Sequence, residues 1–326
     1  MIGFDPGVAV TAMALLVALA IDRWLGEPPL RWHPVVWIGN GLGWAGRRVA
    51  PPAGNAPEGR DLKAFARGAL VWCAGAALVT SVAWGAQAWL LAQLPGWLGA
   101  LVLGLLLKPL LAWTMLRREV QAVEAALQQS LSDGRERLSW ICSRDTSALS
   151  ESQVRETALE SLAENLNDSV IAPLFWFALA GLPGAALYRY ANTADAMWGY
   201  RGERSGRVWE WAGKWAAHLD DLLSWLPARL SALLLALAAG GASPQALWRE
   251  SRRTPSPNGG WPMGALALAL GVRLGKPGVY TLNLPGRAPL PADTARGCAL
   301  AARAVGLITL GAATALALQI WSFSHG

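Results

Sequence analysis

Apolar residues fall in long charge-free runs separated by polar stretches, and that alternation sets the predicted elements. Pro6 to Ile21 is a charge-free run of 16 residues. It is somewhat short of the ~20 residues that cross a bilayer squarely, so a tilted or partly inserted first helix is expected. Asp22 ends it, and Asp22 to Gly39 reads as a Pro- and Trp-rich loop. A second, Pro/Gly-rich loop is expected at Pro51 to Gly59. Gly68 to Leu107 carries no charge in 40 residues and is broken by Pro95-Gly96. That is the pattern of a helical hairpin across the membrane. Its flanks are basic, with Lys108 and Arg117-Arg118 on the return, which assigns them to the cytoplasm. Arg117 to Gly134 predicts an amphipathic helix. Ser169 to Tyr188 is charge-free and broken at Gly181 to Gly184. Leu222 to Trp248 repeats this, interrupted by Arg229 and broken by Gly240-Gly241 and Pro244. Such interruptions suit broken or re-entrant helices lining a cavity. Arg249 to Arg303 has eight Lys/Arg against two acids and should be cytoplasmic. Ala304 to Phe323 is the last predicted span. The expectation is an all-α, polytopic integral membrane helical bundle, a single domain over 1–326. Its membrane segments fall at 6–21, 68–92, 96–116, 170–188, 222–240 and 304–323, and its main polar loops are cytoplasmic.

Ser143 to Arg201 is the polar, acid-rich centre of this apolar chain. Ser150 followed by Gln153 is a capping-box start. From there Glu156, Glu160, Glu164 and Asp168 recur every four residues, which stacks them on one helix face. Val154, Ala158, Leu162 and Leu166 lie roughly opposite, so the helix reads as amphipathic. Like charges at this spacing repel by about 0.2–0.5 kcal/mol per pair. The row therefore asks for a countercharge: Arg144, Arg155, a divalent cation or a cationic substrate.

Composition agrees with a membrane protein that has substantial polar loops. Hydrophobic residues make up 53% of the 326 positions and charged residues only 15%, against about 25% charged in an ordinary soluble domain. The net charge of +6 fits anionic lipid, a phosphorylated substrate or topology control. No aromatic-interleaved basic patch points to nucleic acid. Cys73, Cys142 and Cys298 are widely spaced and form no CxxC pair or metal pattern. Asp5, with no Lys or Arg before the first apolar run, makes an uncleaved first helix the expectation rather than a signal peptide.

Two loops carry candidate chemistry. In the Pro-rich loop Glu27 and His33 are the titratable candidates for contacting a substrate. In the basic segment, Ser256-Pro257-Asn258-Gly259-Gly260 is a tight turn whose backbone N–H groups could face an anion. Arg252 and Arg253 beside it make a phosphate nest plausible.

Several ordered stretches together resemble one known family. They are Asp22-x-x-x-Gly26-Glu27-Pro28-Pro29-x-x-x-His33-Pro34, Ser143-Arg144-Asp145-Thr146, and Glu164-Asn165-x-x-Asp168 with Ala172-Pro173-Leu174-Phe175. They continue with Asn192-Thr193-x-Asp195-x-Met197-x-Gly199-Tyr200, Asp220-Asp221 with Pro227-Ala228-Arg229, and Ser256 to Gly260. The set is similar to the membrane-bound adenosylcobinamide-phosphate synthases of cobalamin biosynthesis, the CobD/CbiB family. Each motif is weak alone; in this order they are highly specific.

The resemblance implies a reaction. The family joins the propionate carboxylate of adenosylcobyric acid to the amine of aminopropanol phosphate, with ATP and a divalent metal (Mg²⁺) as the driving pair. The corrinoid is then a substrate. Under that reading Glu160, Glu164 and Asp168 take the metal role. Arg144, Arg252 and Arg253 bind phosphate, and Asp145 or Asp195 is the general base. Asn192, Asn165 and Asn258 orient substrate, Tyr200 belongs to the same motif set, and Ser256 and Gly259 belong to the turn. Glu27 and His33 close over the corrinoid, and Trp side chains line its flat body. No Gly-x-x-x-x-Gly-Lys-[Ser/Thr] run exists, so nucleotide binding needs another arrangement. The expected partners are the corrinoid, the amino-alcohol phosphate and membrane lipid, with no nucleic acid. The resemblance leaves room for a complex with another membrane enzyme of the pathway and for a homo-oligomer. The expected location is a bacterial inner membrane.

Two other readings compete. A membrane phosphoalcohol transferase would use helix-borne carboxylates as a metal site, but the Asp-Gly-x-x-Ala-Arg type signature is absent. A transporter would place charges inside the membrane, whereas here they cluster in loops.

Overall fold

The computed structural model describes residues 5–55 and 59–325. Within the Pro51 to Gly59 loop, residues 56–58 lie outside the described residues. The helices are α1 (Pro6–Trp24), α2 (Pro34–Val49), α3 (Leu62–Gln93), α4 (Gly96–Leu107), α5 (Trp113–Leu127) and α6 (Leu131–Leu138). They continue with α7 (Glu151–Leu166), α8 (Ala172–Trp198), α9 (Lys214–Ala238), α10 (Pro244–Ser251), α11 (Gly260–Leu270) and α12 (Pro291–His325). There are also two short antiparallel hairpins, β1 (Glu203–Arg204) with β2 (Arg207–Val208) and β3 (Leu274–Lys276) with β4 (Tyr280–Leu282). Among the described residues, six helical stretches are long and apolar enough to cross a membrane: Pro6–Trp24, Leu62–Gln93, Gly96–Leu127, Glu151–Trp198, Lys214–Ala238 and Pro291–His325. The fold class is all-α and polytopic.

The chain forms two compact units, one of Met1–Leu111, Ala172–Leu223 and Ala313–Gly326, the other of Ala112–Ile171 and Ser224–Ala312. In the first unit α1 runs three residues beyond the predicted run, to Trp24. Asp22 does not end it. Its carboxylate is buried, with Lys108 Nζ at 3.3 Å from Oδ1, so the helix continues through a charge that has its counter-ion. The Pro-rich loop is shorter than expected. It stops at His33 because Pro34 opens α2, at a position where its missing N–H costs nothing. Close packing rests on small residues. A Cβ on Gly104 of α4 would meet Val17 Cβ of α1 at 2.6 Å. Between α3 and α8, the Trp72 and Tyr190 rings meet edge-on at 5.6 Å, and Tyr190 Oη donates to the Trp72 carbonyl.

Helix α8 is broken where the sequence predicts it. Ala180 and Gly181 leave helical geometry, Gly181 at φ 66°, with Pro183 just beyond. The break frees backbone groups in an apolar setting, and Gln87 of α3 answers one of them: its Oε1 accepts from Leu182 N at 2.7 Å.

The second unit is built on α7. Its capping box is present, with Ser150 N donating to Gln153 Oε1 at 2.8 Å and Gln153 N donating to Ser150 Oγ. The amphipathic expectation fails here. Val154 through Ala163 are all buried, charged residues included. Buried charges must be paired, and they are. Arg155 donates to both Glu124 oxygens, at 2.8 and 2.9 Å, and Thr294 Oγ1 donates to the same carboxylate. The helix expected over Arg117 to Gly134 is two helices, because Ser130 caps a new start by accepting from Asp133 N. Past Leu166, residues Asn167–Ile171 form a π turn.

Candidate functional site

The predicted site residues occupy three local groups. In the first unit, Glu27 stands at the centre of an ion cluster. Lys108 Nζ lies 2.8 Å from Glu27 Oε1, and His33 Nε2 lies 3.3 Å from Glu27 Oε2. Burial pushes the Glu27 carboxyl up, but its hydrogen bonds and charges from His33 and Lys108 outweigh that and hold it below the usual carboxylate range. Glu27 and His33 are thus brought together as the sequence suggested. Lys108 was missed: as the first charge after a 40-residue apolar run it reads as a topology marker, yet it is 2% exposed.

The second group lies near the C-terminal end of α8. Asn192 and Asp195 are three apart on one helix face. Asn192 Oδ1 accepts from Arg189 Nη1 at 3.3 Å. The Asp195 carboxylate packs so close to Gly199 that a Cβ there would overlap Oδ1. Tyr200 carries the Arg204 guanidinium over its ring at 3.6 Å.

The third group is in the second unit. Arg144 reaches from the loop before α7 to three acceptors. Nη2 donates to Glu160 Oε2 at 2.8 Å, and Nη1 donates to Thr157 Oγ1 at 3.0 Å and to the Gly275 carbonyl at 3.5 Å. The acidic row therefore finds its countercharge in Arg144, one of the partners the spacing called for. Tyr280 of β4 also faces Glu160; burial and then the Glu160 charge raise its phenol well above the ordinary value. Glu156 accepts from Ser152 Oγ and pairs with Arg273 Nε at 3.5 Å. Glu164 is exposed, and a Cβ on Gly259 would come 3.7 Å from its Oε1, so the Ser256 to Gly260 turn lies against α7 at that carboxylate. Asn165 Nδ2 donates to the Ser161 carbonyl.

Three assignments change. First, Glu160, Glu164 and Asp168 do not form a ready-made three-ligand metal site. Among the described residues no three His, Cys, Asp or Glu side chains converge to hold a metal ion. Glu160 is matched by Arg144, and Asp168 sits in the π turn, out of the fourfold register, accepting from Asn167 Nδ2. Second, the turn is not an open nest. Asn258 N and Gly259 N both donate to Ser256 Oγ, at 3.2 and 3.1 Å, so those N–H groups are used inside the turn. Third, Asp145 is an exposed local cap. Its Oδ1 accepts from Ser147 N at 2.8 Å, and that hydrogen bond lowers its pKa, which suits a general base poorly.

Of the two arginines beside the turn, Arg253 Nε pairs with Glu250 at 2.9 Å, while Arg252 lies over Trp248 at 4.7 Å; both are exposed. Arg229 holds the turn from the other side. Its guanidinium sits 4.2 Å from the Trp225 ring and 4.9 Å from the Trp261 ring, and Nη1 donates to Asn258 Oδ1 at 3.1 Å. The sequence shows Arg229 as the one charge in an apolar run and within Pro227-Ala228-Arg229, but gives it no role. Tyr280 left no such signal.

A family model described as CobD/Cbib protein matches residues 15–308, through both units. The chain belongs to the CobD/CbiB family. It is 38% identical to a cobalamin biosynthesis protein CobD of Rhodobacter capsulatus over 335 residues, covering 96% of this chain and 99% of that protein. It is 43% identical to the protein of the same name from Chromobacterium violaceum, covering 86% of each. The probable cobalamin biosynthesis protein CobD of Methanothermobacter thermautotrophicus is 38% identical, covering 83% of this chain and 86% of that protein. No solved structure matches the chain.

Proposed function

We propose that this chain works in cobalamin biosynthesis as an amide-forming synthase, joining a carboxylate of adenosylcobyric acid to the amine of aminopropanol phosphate at the expense of ATP. The observation that carries the reading is the near full-length likeness to cobalamin biosynthesis proteins CobD. The setting would be a bacterial inner membrane with the polar loops in the cytoplasm.

In this scheme the corrinoid carboxylate oxygen takes the γ-phosphoryl of ATP, releasing ADP and leaving an acyl phosphate. The neutral amine then attacks the acyl carbon. The C–N bond forms, the C–O bond to phosphate breaks, and the proton leaves the nitrogen for a base. The base in this reading is Asp195, since the hydrogen bond that lowers the Asp145 pKa suits that group poorly to the task. Exposed Arg252 supplies a planar cation for phosphate oxygens. Mg²⁺ would enter as part of the nucleotide substrate, and a cation bound largely by phosphate needs only one or two protein carboxylates, a role this reading gives to Glu164 and Asp168. Arg144 changes role. Paired with Glu160 and Thr157, it positions α7 rather than gripping phosphate. Glu27 and His33 offer their cluster to the corrinoid amide groups.

The test is a detergent assay with adenosylcobyric acid, aminopropanol phosphate and Mg-ATP, read by mass spectrometry. The expected product is the corrinoid heavier by the amine less one water, formed only with ATP. A corrinoid that binds and stays unconverted with every amine offered would overturn the ligase reading. Glu164→Gln and Asp168→Asn test the metal assignment: full activity with normal Mg²⁺ dependence in both removes it.

A further inference from the structure

Helix α2 has two unlike faces, and one of them is unused by the fold. The inner face is small and close-packed. Leu42, Gly46 and Val49 are buried, and a Cβ on Gly46 would meet Trp198 at 2.7 Å and Trp209 at 2.8 Å. The outer face reads Trp37, Gly41, Trp44, Arg48, at spacings of four, three and four, which is one stripe of a helix. Trp37 is 54% and Trp44 56% exposed, and nothing lies within 4 Å of where a Gly41 Cβ would stand. The Arg48 guanidinium stacks 3.8 Å over Trp44 and Nη1 donates to its carbonyl, so aromatic and cation form one unit. Just before the helix, exposed Trp32 and Arg31 repeat the pairing at 5.9 Å.

Charge on this stretch is one-sided. Arg23, Arg31, Arg47 and Arg48 are its cations, and Glu27 is its one carboxylate after Asp22. Glu27 and Asp22 are both answered by Lys108. The chain leaves one spanning-length helix at Trp24 and enters the next at Leu62, so α2 stands between two spans on a single side of the bilayer. Its 16 residues reach about 24 Å, too short to cross a core about 30 Å thick.

We propose that α2, with Arg31 and Trp32, lies in the membrane plane at the headgroup layer and binds anionic phospholipid. Tryptophan belongs at that depth because its ring is apolar and its N–H polar. Arginine adds bidentate contacts to phosphate oxygens, and the surplus positive charge selects an anionic surface. The Trp37 indole N–H is already spent on the Arg31 carbonyl at 2.9 Å, which fixes that ring on the outer face.

The test uses the full chain in nanodiscs of phosphatidylcholine with or without phosphatidylglycerol. A spin label at Gly41→Cys, in a background lacking Cys73, Cys142 and Cys298, is read for collision with oxygen and with a water-soluble nickel chelate. Headgroup depth is expected, deeper with phosphatidylglycerol, and the triple change Arg31→Gln, Arg47→Gln, Arg48→Gln should abolish that difference. A label as accessible to the chelate as a free loop, or one at acyl-core depth, overturns the proposal. Native mass spectrometry needs no cysteine changes. Wild type should retain phosphatidylglycerol severalfold over phosphatidylcholine, and the triple variant should not. Equal retention by both proteins overturns the proposal.

Discussion

Lys108 Nζ lies 2.8 Å from Glu27 Oε1 and 3.3 Å from Asp22 Oδ1, so one buried ammonium ties the end of α1 to the loop that follows it. Lys108 is 2% and Asp22 1% exposed. Removing the cation leaves two carboxylates facing each other with little water. Breaking a buried pair from one side costs about 3–5 kcal/mol. Lys108→Met should therefore lower the unfolding temperature in detergent by many degrees and release the Gly26 to His33 loop to protease. An unchanged melting curve would show that the cluster adds nothing to the fold.

The same cluster sets a pH dependence. The Glu27 carboxyl is held below its usual range in the folded protein. A group with a depressed folded pKa stabilises above its unfolded value and loses that contribution as pH falls through the folded one. Wild type should thus lose stability from the ordinary carboxylate range downward. Glu27→Gln should be less stable than wild type at neutral pH, with the gap closing as pH drops. Parallel melting temperatures of the two proteins at every pH would rule out Glu27 as a source.

Arg144 and Glu160 form the corresponding pair in the second unit, and Glu160 is 1% exposed. Arg144→Met strands a buried carboxylate and should cost about 3–5 kcal/mol. Pairing it with Glu160→Gln removes the stranded charge, so the double variant should recover part of the loss, a coupling of about 1–3 kcal/mol. Additive losses in the cycle would mean that the two side chains act independently.

Much of the fold was legible because bilayer physics writes long, uniform signals. The charge-free run from Gly68 to Leu107, the Gly181 to Pro183 break and the Ser150–Gln153 cap are all where the pattern puts them. What failed was tertiary. Spacing by four places Glu156, Glu160 and Glu164 on one face, but it does not say that Glu156 and Glu160 are buried against Arg144, Tyr280 and Arg273. Helix α2 was hidden because His33-Pro34 looks like loop, although proline is at home in a first helical turn. Ser256 defeated the nest reading through its own hydroxyl, which takes the N–H groups that the glycines seemed to free. A polar residue inside a turn can bind the turn itself as readily as a ligand.

Two glycines of α2 separate helix propensity from packing. Gly41 and Gly46 are both inside the helix, so replacement by alanine offers each the same backbone gain, up to about 1 kcal/mol. At Gly41 the new methyl meets nothing within 4 Å, and the gain should appear in full as a higher melting temperature. At Gly46 it runs into the indoles of Trp198 and Trp209, which stack on each other at 6.1 Å and are buried. Rigid rings in a filled core do not give way, and overpacking of this kind costs about 1–3 kcal/mol. Trp198 Nε1 also donates to the Leu42 carbonyl of α2, so pushing the ring away would lengthen that bond as well. Gly41→Ala should therefore stabilise and Gly46→Ala destabilise, measured side by side in one detergent. The same sign for both would mean that α2 does not pack on Trp198 in the folded protein.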